Sequence, residues 1–293
     1  MIETQNLQQE SYSFGLIGYP LGHSLSPQIH GAALHALGVS GEYRLYQIPP
    51  LPDGKDDLAS LLNRVRAGEI HGLNVTIPHK QNVIPLLDEF TPTAKTIGAV
   101  NTIFMRGDVL VGDNTDAPGF WGDVSQRFNG QTFERSKALV LGSGGGARAV
   151  IYALLTHGFQ VTISARCQDQ EEAETLKNDL SVVSNQIEII YLETDYSKLN
   201  MDQFSLLVNC TPVGMHPLDD ASPWPADLSF PQDTIVYDLV YNPRETLFVK
   251  QARAAGLRAS TGLGMLIEQA ALAFERWTGL EAPRAVMMDA VNF

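Results

Sequence analysis

Short apolar runs alternate with helix-spaced segments along the first third of the chain. Residues 14–18 predict a first strand, which the turn-rich YPLGHSLSP follows. A helix is predicted from about Pro27 to Leu37, with Ser26 as its N-cap. A second strand over 42–48 precedes a helix over 56–67, whose leucines recur at helical spacing.

The same alternation continues to the end of the chain. The strand HGLNVTIP, short helices and the strand AVNTIF complete a β-α-β-α-β order, which favours a parallel sheet covered by helices. A second series starts near Lys137, where KALVLGSGGGARAVIYALLTHGFQVTISAR predicts strand, glycine turn, helix and strand within the ~30 residues of one βαβ unit. IEIIY, SLLVNC and TIVYDLV predict further strands, and helices are predicted from Gly264 to Trp277 and beyond. The pattern therefore predicts two α/β domains.

Length and composition are those of a globular protein with two moderate domains. The chain has 293 residues, 44% hydrophobic and 18% charged, without a disordered bias. Its net charge of −13 argues against nucleic-acid binding, which needs clustered lysine and arginine. MIETQNLQQE lacks a signal-peptide pattern, and no apolar run reaches the roughly 20 residues of a membrane span. Cys167 and Cys210 form no disulfide framework, so we expect a cytoplasmic protein with reduced thiols. From the charge and the short apolar runs, we expect no nucleic-acid or membrane partner.

A glycine turn follows the predicted strand ALVL and opens a helix near Gly146. It matches the dinucleotide-binding pattern G-x-G-x-x-A, in which small residues allow a tight turn and close approach to a pyrophosphate. The free N–H groups at the helix start favour the phosphates. The predicted cofactor-binding residues here are Gly142, Ser143, Gly144, Gly145 and Gly146, followed by Ala147.

The end of the next strand indicates which dinucleotide is bound. An NAD site has an acidic residue at this place, to bind the ribose 2′-hydroxyl. Here the strand ends in Ala165 and Arg166, and a guanidinium suits the 2′-phosphate of NADP. Asp169 lies close by in the sequence and is a competitor for the same position. We therefore expect NADP, with NAD possible.

Polar residues cluster at the ends of otherwise apolar strands. NVTIPHK places Lys80 just past a strand, and a solvated surface lysine is the simpler interpretation of that residue alone. Ser24 and Ser26 suit a carboxylate, although Ser26 alone suits helix capping. GDNTDAPGF carries two aspartates, Asp113 and Asp116, where N-capping is the simpler role. GLGMLIEQ places the amide of Gln269 on an apolar helix flank, and a buried amide needs partners.

Taken together, these segments resemble the shikimate dehydrogenase family. GYPLGHSLSPQIH, LNVTIPHK, IGAVNT, GDNTD, GSGGGAR, DLVYNP and GLGMLIEQ occur in that family's order, from about residue 14 to residue 280. The fold that we expect is an N-terminal α/β substrate domain, residues 1–115, and a Rossmann-type NADP-binding domain, residues 116–260. Residues 261–293 form C-terminal helices that return to the first domain, because Gln269 must face the same ligand as Ser24.

The resemblance also implies roles for single residues. Lys80 and Asp116 match the catalytic pair that exchanges a proton with the hydroxyl of shikimate while hydride passes between its carbon and the nicotinamide. Residue-wise matching assigns the substrate carboxylate to Ser24, Ser26 and Tyr241, the ring hydroxyls to Asn74, Thr76, Asn101 and Gln269, and part of the cofactor site to Gly262. The implied reaction is the reversible NADPH-dependent reduction of 3-dehydroshikimate, by a monomer or homodimer.

Some positions depart from the family pattern and keep alternatives open. Ala117 stands where the family often has glycine, and Gly31 where asparagine is common. Gln170 replaces a second arginine of NADP-specific members, so a quinate/shikimate dehydrogenase using NAD as well is an alternative. A catalytically silent ligand-sensing homologue is another, and a different Rossmann reductase leaves Ser24 and Ser26 unexplained. The seven histidines show no metal-ligand spacing, and no metal is expected.

Overall fold

The computed structural model describes residues 11–128, 136–191 and 200–292. The N-terminal segment MIETQNLQQE, in which no signal-peptide pattern was found, lies outside these residues. The described chain divides into two compact units. The first comprises 11–91, 100–113 and 270–292, and the second comprises 92–99, 114–128, 136–191 and 200–269. The predicted α/β fold class is confirmed.

The first unit is built on a six-stranded mixed sheet. Its strands are β1 (Tyr12–Gly18), β2 (Gly41–Gln47), β3 (Gly72–Val75), β4 (Glu89–Phe90), β5 (Thr102–Arg106) and β6 (Val109–Asp113), in the spatial order β2-β1-β3-β5-β6-β4. Its helices include α1 (Ser26–Ala36), α2 (Lys55–Arg66) and α9 (Arg284–Asp289). β5 is antiparallel to both β3 and β6. The predicted parallel pairing is confirmed for β1, β2 and β3 but not for β5. A tight hairpin at Gly107, with a φ of +61°, reverses the chain between β5 and β6.

The second unit is a fully parallel doubly wound sheet. Its strands are β7 (Lys137–Leu141), β8 (Gln160–Ala165), β9 (Ile187–Tyr191), β10 (Phe204–Asn209), β11 (Ile235–Asp238) and β12 (Arg258–Thr261), in the order β12-β11-β10-β7-β8-β9. Its helices include α3 (Pro92–Ile97), α4 (Asp116–Arg127), α5 (Gly145–Thr156), α6 (Gln170–Leu180) and α7 (Leu247–Ala254). Short 3₁₀ turns lie at Cys167–Asp169 and Met201–Gln203 in this unit, and at Ile84–Leu86 in the first unit. Parallel strands place their carboxyl ends at one edge, where dinucleotides bind in such sheets.

The hydrophobic patterns explain the cores. The apolar positions of α2 at helical spacing are all buried in the first unit: Leu58, Leu61, Leu62 and Val65. In the second unit the apolar strands β7 and β10 are covered on one face by α5, and β11 lies beside them with its Tyr237 fully buried. The long helix α8 (Leu263–Thr278) contributes residues up to Gln269 to the second unit and those from Ala270 to the first.

Candidate active site

Lys80 lies on a turn whose backbone is held from several sides. β3 ends at Val75, and the N–H of Thr76 donates to the carbonyl of Ile17 on β1 at 2.8 Å. The N–H of His79 closes the turn onto Thr76 at 2.9 Å, and the fully buried His79 ring donates from Nε2 to the carbonyl of Ile48 at 2.8 Å. The carbonyl of Lys80 accepts from Val100 at 2.8 Å. The half-buried Lys80 therefore projects from a fixed point beyond the carboxyl end of β3.

Two asparagines predicted to bind the substrate meet in the same unit. Asn74 on β3 is 5% exposed, and its Nδ2 donates to the carbonyl of Asn101 and to Thr102 Oγ1, both at 3.2 Å. Thr102 Oγ1 in turn donates to Asn101 Oδ1 at 3.0 Å. Thr76 lies beside them on the way to Lys80, and its methyl group fills space that a side chain on Gly18 would occupy. The structure thus brings Asn74, Thr76, Asn101 and Lys80 to adjoining strand ends.

The serine pair lies at the start of α1. The helix begins at Ser26, and the N-cap position is Leu25, so the expectation that Ser26 caps this helix is wrong. Ser24 takes part of that role instead, because its Oγ accepts from the N–H of Ser26 at 3.3 Å. Pro27 occupies the first turn as predicted. Ser26 is buried and Ser24 half-buried.

The two aspartates of GDNTD have different surroundings. Asp113, 4% exposed, accepts from Thr91 Oγ1 at 2.6 Å and pairs with Arg276 of α8 at 2.9 Å. Asp116 is the first residue of α4 in the second unit and is 6% exposed. An amide shares in capping this helix, because Asn114 Oδ1 accepts from the N–H groups of Asp116 at 3.1 Å and of Ala117 at 3.3 Å. Asn114 is thus a helix cap that was not predicted from the sequence.

Asp116 and Gln269 lie on two helices, α4 and α8, that approach closely at glycines. A Cβ on Gly119, one turn beyond Asp116, would lie 2.8 Å from the backbone nitrogen of Gln269. Further along α4, the buried Asp123 accepts from Tyr237 Oη at 2.7 Å. The Asp123 carboxylate also fills the space beside Gly264, where a Cβ would lie 1.9 Å from Oδ1. These contacts fix α4 and the first turns of α8 against the second sheet.

The glycine turn has room for a phosphate. Gly142 follows β7 with a φ of +98°, which favours glycine, and α5 starts at Gly145, next to the predicted Gly146. A Cβ on Gly144, the N-cap position of α5, would have no described atom within 4 Å. Such a backbone fits a dinucleotide pyrophosphate. Ser143 Oγ donates to Glu172 of α6 at 3.2 Å, which places a carboxylate beside this turn.

Arg166 follows β8 at the predicted place, directly after Ala165, but it already has a carboxylate partner. Its Nε donates to Asp169 Oδ2 at 2.6 Å and its Nη2 to Oδ1 at 3.1 Å. The Arg166 side chain is 59% exposed. Asp169, predicted as a competitor for the same position, forms a two-point ion pair with Arg166, and its competition for the cofactor stays a prediction. Gln170 supplies no second positive charge.

The remaining predicted residues lie near the ends of β11 and β12. Gly262 must be glycine, because a Cβ there would lie 2.4 Å from the carbonyl oxygen of Leu239. Burial raises the pKa of the Tyr241 phenol. Burial also raises the pKa of Asp238 to about 6, against smaller lowering by hydrogen bonds, including those from Thr246 and Asn209. Asp238, the first residue of the DLVYNP segment, accepts hydrogen bonds from Asn209 at 2.8 Å and from Thr246 at 2.6 Å, and so holds the ends of β10 and β11 together.

The predicted site residues are divided between the units. Ser24, Ser26, Asn74, Thr76, Lys80 and Asn101 belong to the first, whereas Asp116, Tyr241, Gln269 and every predicted cofactor residue belong to the second. Their roles stay predictions. Among the described residues, no cluster of histidine, cysteine, aspartate or glutamate is placed to hold a metal ion. None of the described helices is long and apolar enough to cross a membrane.

Comparison with known proteins identifies the family. Residues 16–103 match the shikimate dehydrogenase substrate binding domain, and residues 262–291 match the shikimate 5'-dehydrogenase C-terminal domain. A shikimate dehydrogenase (NADP(+)) of Carboxydothermus hydrogenoformans is 42% identical over 278 residues, 95% of each chain.

Two solved structures have the same fold. Shikimate 5-dehydrogenase from Thermus thermophilus, in complex with NADP(H) and shikimate, has a TM-score of 0.81 at 38% identity, covering 95% of this chain and 98% of that one. Quinate dehydrogenase from Corynebacterium glutamicum, in complex with NAD, has a TM-score of 0.85 at 32% identity, covering 96% and 98%. With a curated relative 42% identical over nearly its whole length, the chain belongs to the shikimate dehydrogenase family.

Proposed function

We propose that this protein is a shikimate dehydrogenase, which catalyses the reversible NADPH-dependent reduction of 3-dehydroshikimate to shikimate in aromatic amino acid biosynthesis. The observation that carries the proposal is the fixed turn at Lys80, which lies at the same strand ends as two buried asparagines in the unit that matches the family's substrate domain. The second unit supplies a glycine turn that fits a dinucleotide.

Lys80 and Asp116 are the proposed catalytic residues. Bound NADPH supplies the hydride that reduces the carbonyl carbon. The Lys80 ammonium donates a proton to the carbonyl oxygen as that oxygen gains negative charge, and in the reverse direction the amine accepts the hydroxyl proton. General acid–base catalysis of this kind contributes about 100- to 10,000-fold. Asp116 is the proposed partner that orients the lysine and accepts a hydrogen bond from a substrate hydroxyl.

The other polar residues are proposed to bind the substrate. Hydroxyl groups suit its carboxylate, which we assign to Ser24, Ser26 and Tyr241. Amides and a further hydroxyl suit its ring hydroxyls, which we assign to Asn74, Thr76, Asn101 and Gln269. Each ring hydroxyl needs a partner once it is buried, because an unpaired buried polar group costs roughly 1–3 kcal/mol.

We also divide the chain by proposed role, along boundaries that differ from those of the two compact units. We assign substrate binding to residues 1–115 and 261–293, and cofactor binding to residues 116–260. The family's biosynthetic role supports a cytoplasmic location and a monomer or homodimer that binds only small molecules. Gel filtration with light scattering measures the oligomeric state directly.

A quinate/shikimate dehydrogenase that uses NAD as well as NADP is the second candidate. It is favoured by the pairing of Arg166 with Asp169 and by Gln170 at the position of the second arginine. The presence of both Lys80 and Asp116 speaks against a catalytically silent homologue. Turnover of shikimate and quinate, each with NADP⁺ and NAD⁺, separates these functions.

Replacing the lysine tests the reaction. With shikimate and NADP⁺, the wild-type protein is expected to produce reduced-cofactor absorbance. Lys80→Ala should lower kcat by about 100- to 10,000-fold, because the proton then lacks its acceptor. Lys55→Ala, at the exposed start of α2, is the matched control and should keep wild-type kcat. A Lys80→Ala protein with activity within a few-fold of wild type contradicts the assignment.

A further inference from the structure

Four polar side chains of the first unit form one directional hydrogen-bonded series across the sheet. Tyr43 Oη on β2 donates to Asn74 Oδ1 on β3 at 2.9 Å. Asn74 Nδ2 donates to Thr102 Oγ1 on β5 at 3.2 Å, and Thr102 Oγ1 donates to Asn101 Oδ1 at 3.0 Å. We call Tyr43, Asn74, Thr102 and Asn101 the polar series. Two of its members, Tyr43 and Thr102, have no role in the proposed reaction.

The series determines which way each amide points. Asn74 Nδ2 also lies 3.2 Å from the backbone carbonyl of Asn101, which can only accept. Rotating the Asn74 amide by half a turn would place oxygen against oxygen there, and would turn its NH₂ group toward Tyr43. Asn74 therefore directs its oxygen toward Tyr43. Asn101 directs its oxygen toward Thr102, which leaves its NH₂ group on the opposite side.

Tyr43 is itself held in place as a neutral donor. Its ring stacks on His30 of α1, with centroids 4.4 Å apart and planes 6° from parallel. Burial raises the pKa of the Tyr43 phenol, and a hydrogen bond with Ser26 opposes this to a smaller extent. Burial lowers the pKa of His30 to about 3, and the nearby Asn74 side chain opposes this to a smaller extent. Both rings are therefore uncharged near neutral pH, so Tyr43 Oη keeps the proton that it donates to Asn74.

We propose that Tyr43 and Thr102 are positioning residues that set the hydrogen-bonding pattern read by the substrate site. They present Asn74 to a ring hydroxyl as an acceptor and Asn101 as a donor. The inference rests on the proposed function, in which these two asparagines bind the hydroxyls of shikimate. It adds that the selectivity for a polyhydroxylated ring also depends on Tyr43 and Thr102, which hydrogen-bond the asparagines that contact the substrate.

The test is a pair of isosteric substitutions. Tyr43→Phe keeps the ring on His30 and removes the donor, whereas Thr102→Val removes the hydroxyl that links the two asparagines. Each should raise the KM for shikimate about 3- to 10-fold, the range of one lost hydrogen bond, and leave the KM for NADP⁺ unchanged. Tyr46→Phe is the matched control, because Tyr46 lies on the other face of β2 and its hydroxyl has no hydrogen-bond partner among the described residues. It should leave both KM values unchanged.

Shikimate analogues that each lack one ring hydroxyl give a readout that simple destabilisation does not change. The Tyr43→Phe penalty should vanish for the analogue without the hydroxyl that Asn74 binds, and persist for the others. An unchanged shikimate KM in both variants overturns the inference. So does an equal rise in both KM values, or an equal penalty for every analogue. Should Tyr43→Phe not fold, Thr102→Val decides alone. A wild-type protein without shikimate turnover is a different result, because it rejects the proposed function itself.

Discussion

The ion pair between Arg166 and Asp169 predicts how strongly the enzyme prefers NADP. To bind a 2′-phosphate, the Arg166 guanidinium must leave a carboxylate that it now contacts at two points, at 2.6 and 3.1 Å. Because the arginine is 59% exposed, water and salt screen the pair, and it is worth about 0.2–1 kcal/mol. Hydrogen bonds from a guanidinium to a phosphate contribute about 1.5–3 kcal/mol. Arg166 should therefore bind the 2′-phosphate in place of Asp169, but breaking the ion pair reduces the net gain in binding free energy.

Two substitutions separate the two contributions. Asp169→Asn keeps the size of the side chain and removes its charge, so kcat/KM with NADP⁺ should rise about 1.5- to 5-fold relative to NAD⁺. Arg166→Ala should lower kcat/KM with NADP⁺ about 5- to 100-fold and affect NAD⁺ little, because NAD has no 2′-phosphate. In the double variant, Asp169→Asn should give no further gain with NADP⁺.

The assay is initial-rate kinetics with each cofactor at saturating shikimate. Arg64→Ala is the matched control, since Arg64 is also exposed and paired with a carboxylate, Glu69, but lies in the first unit. It should leave the ratio of the two kcat/KM values unchanged. If Arg166→Ala lowers activity equally with both cofactors, the arginine does not recognise the 2′-phosphate. If Asp169→Asn leaves the ratio unchanged, the carboxylate does not compete.

Two further predictions concern stability. Gly119→Ala should lower the free energy of unfolding by about 1–3 kcal/mol, because the new methyl group meets the Gln269 backbone at 2.8 Å. Gly122→Ala, whose Cβ would make an ordinary 3.7 Å contact, should not, and equal denaturation midpoints for the two variants would contradict the close packing. The pKa of His30 in the folded protein is lowered to about 3. Its contribution to the free energy of unfolding therefore falls as pH drops below the unfolded-state pKa of about 6.5, by about 2 kcal/mol at pH ~5. Asp238, with its pKa raised to about 6, changes stability with pH in the opposite direction. The readout is therefore the difference between wild type and His30→Phe in the free energy of unfolding by urea, which should grow in the variant's favour as pH falls. A difference that does not change with pH means that His30 takes up its proton normally when folded.

Local patterns predicted the elements well, because burial in a helix or strand repeats along a few residues. The leucines of α2 and the apolar strands β7 and β8 lie where their periodicity places them. The glycine turn could be predicted because its strand, turn and helix follow one another directly in the sequence. The predicted cap at Ser26 was wrong because several serines near a helix start can fill that role, and sequence does not say which backbone N–H each one reaches.

Contacts between distant segments were beyond the reach of such patterns. Asp113 and Arg276 are 163 residues apart, and nothing in either segment indicates the other. The Tyr43 hydroxyl is polar in the sequence, yet only the register of β1 with β2 and β3 shows that it reaches Asn74. The antiparallel pairing of β5 with β6 does have a local signal, the Gly107–Asp108 turn, although strand order alone favoured a parallel sheet.

The position of Trp277 bears on how the protein is made. Its indole packs where a side chain on Gly72 would lie, since a Cβ there would come within 2.3 Å of the ring, and its Nε1 donates to the carbonyl of Ile103 at 3.2 Å. The central strands β3 and β5 thus receive part of their covering from a residue near the end of the chain. Domains usually fold as they leave the ribosome, starting from the N-terminus. Here the sheet that is translated first stays partly uncovered until Trp277, far along the chain from Gly72, has emerged.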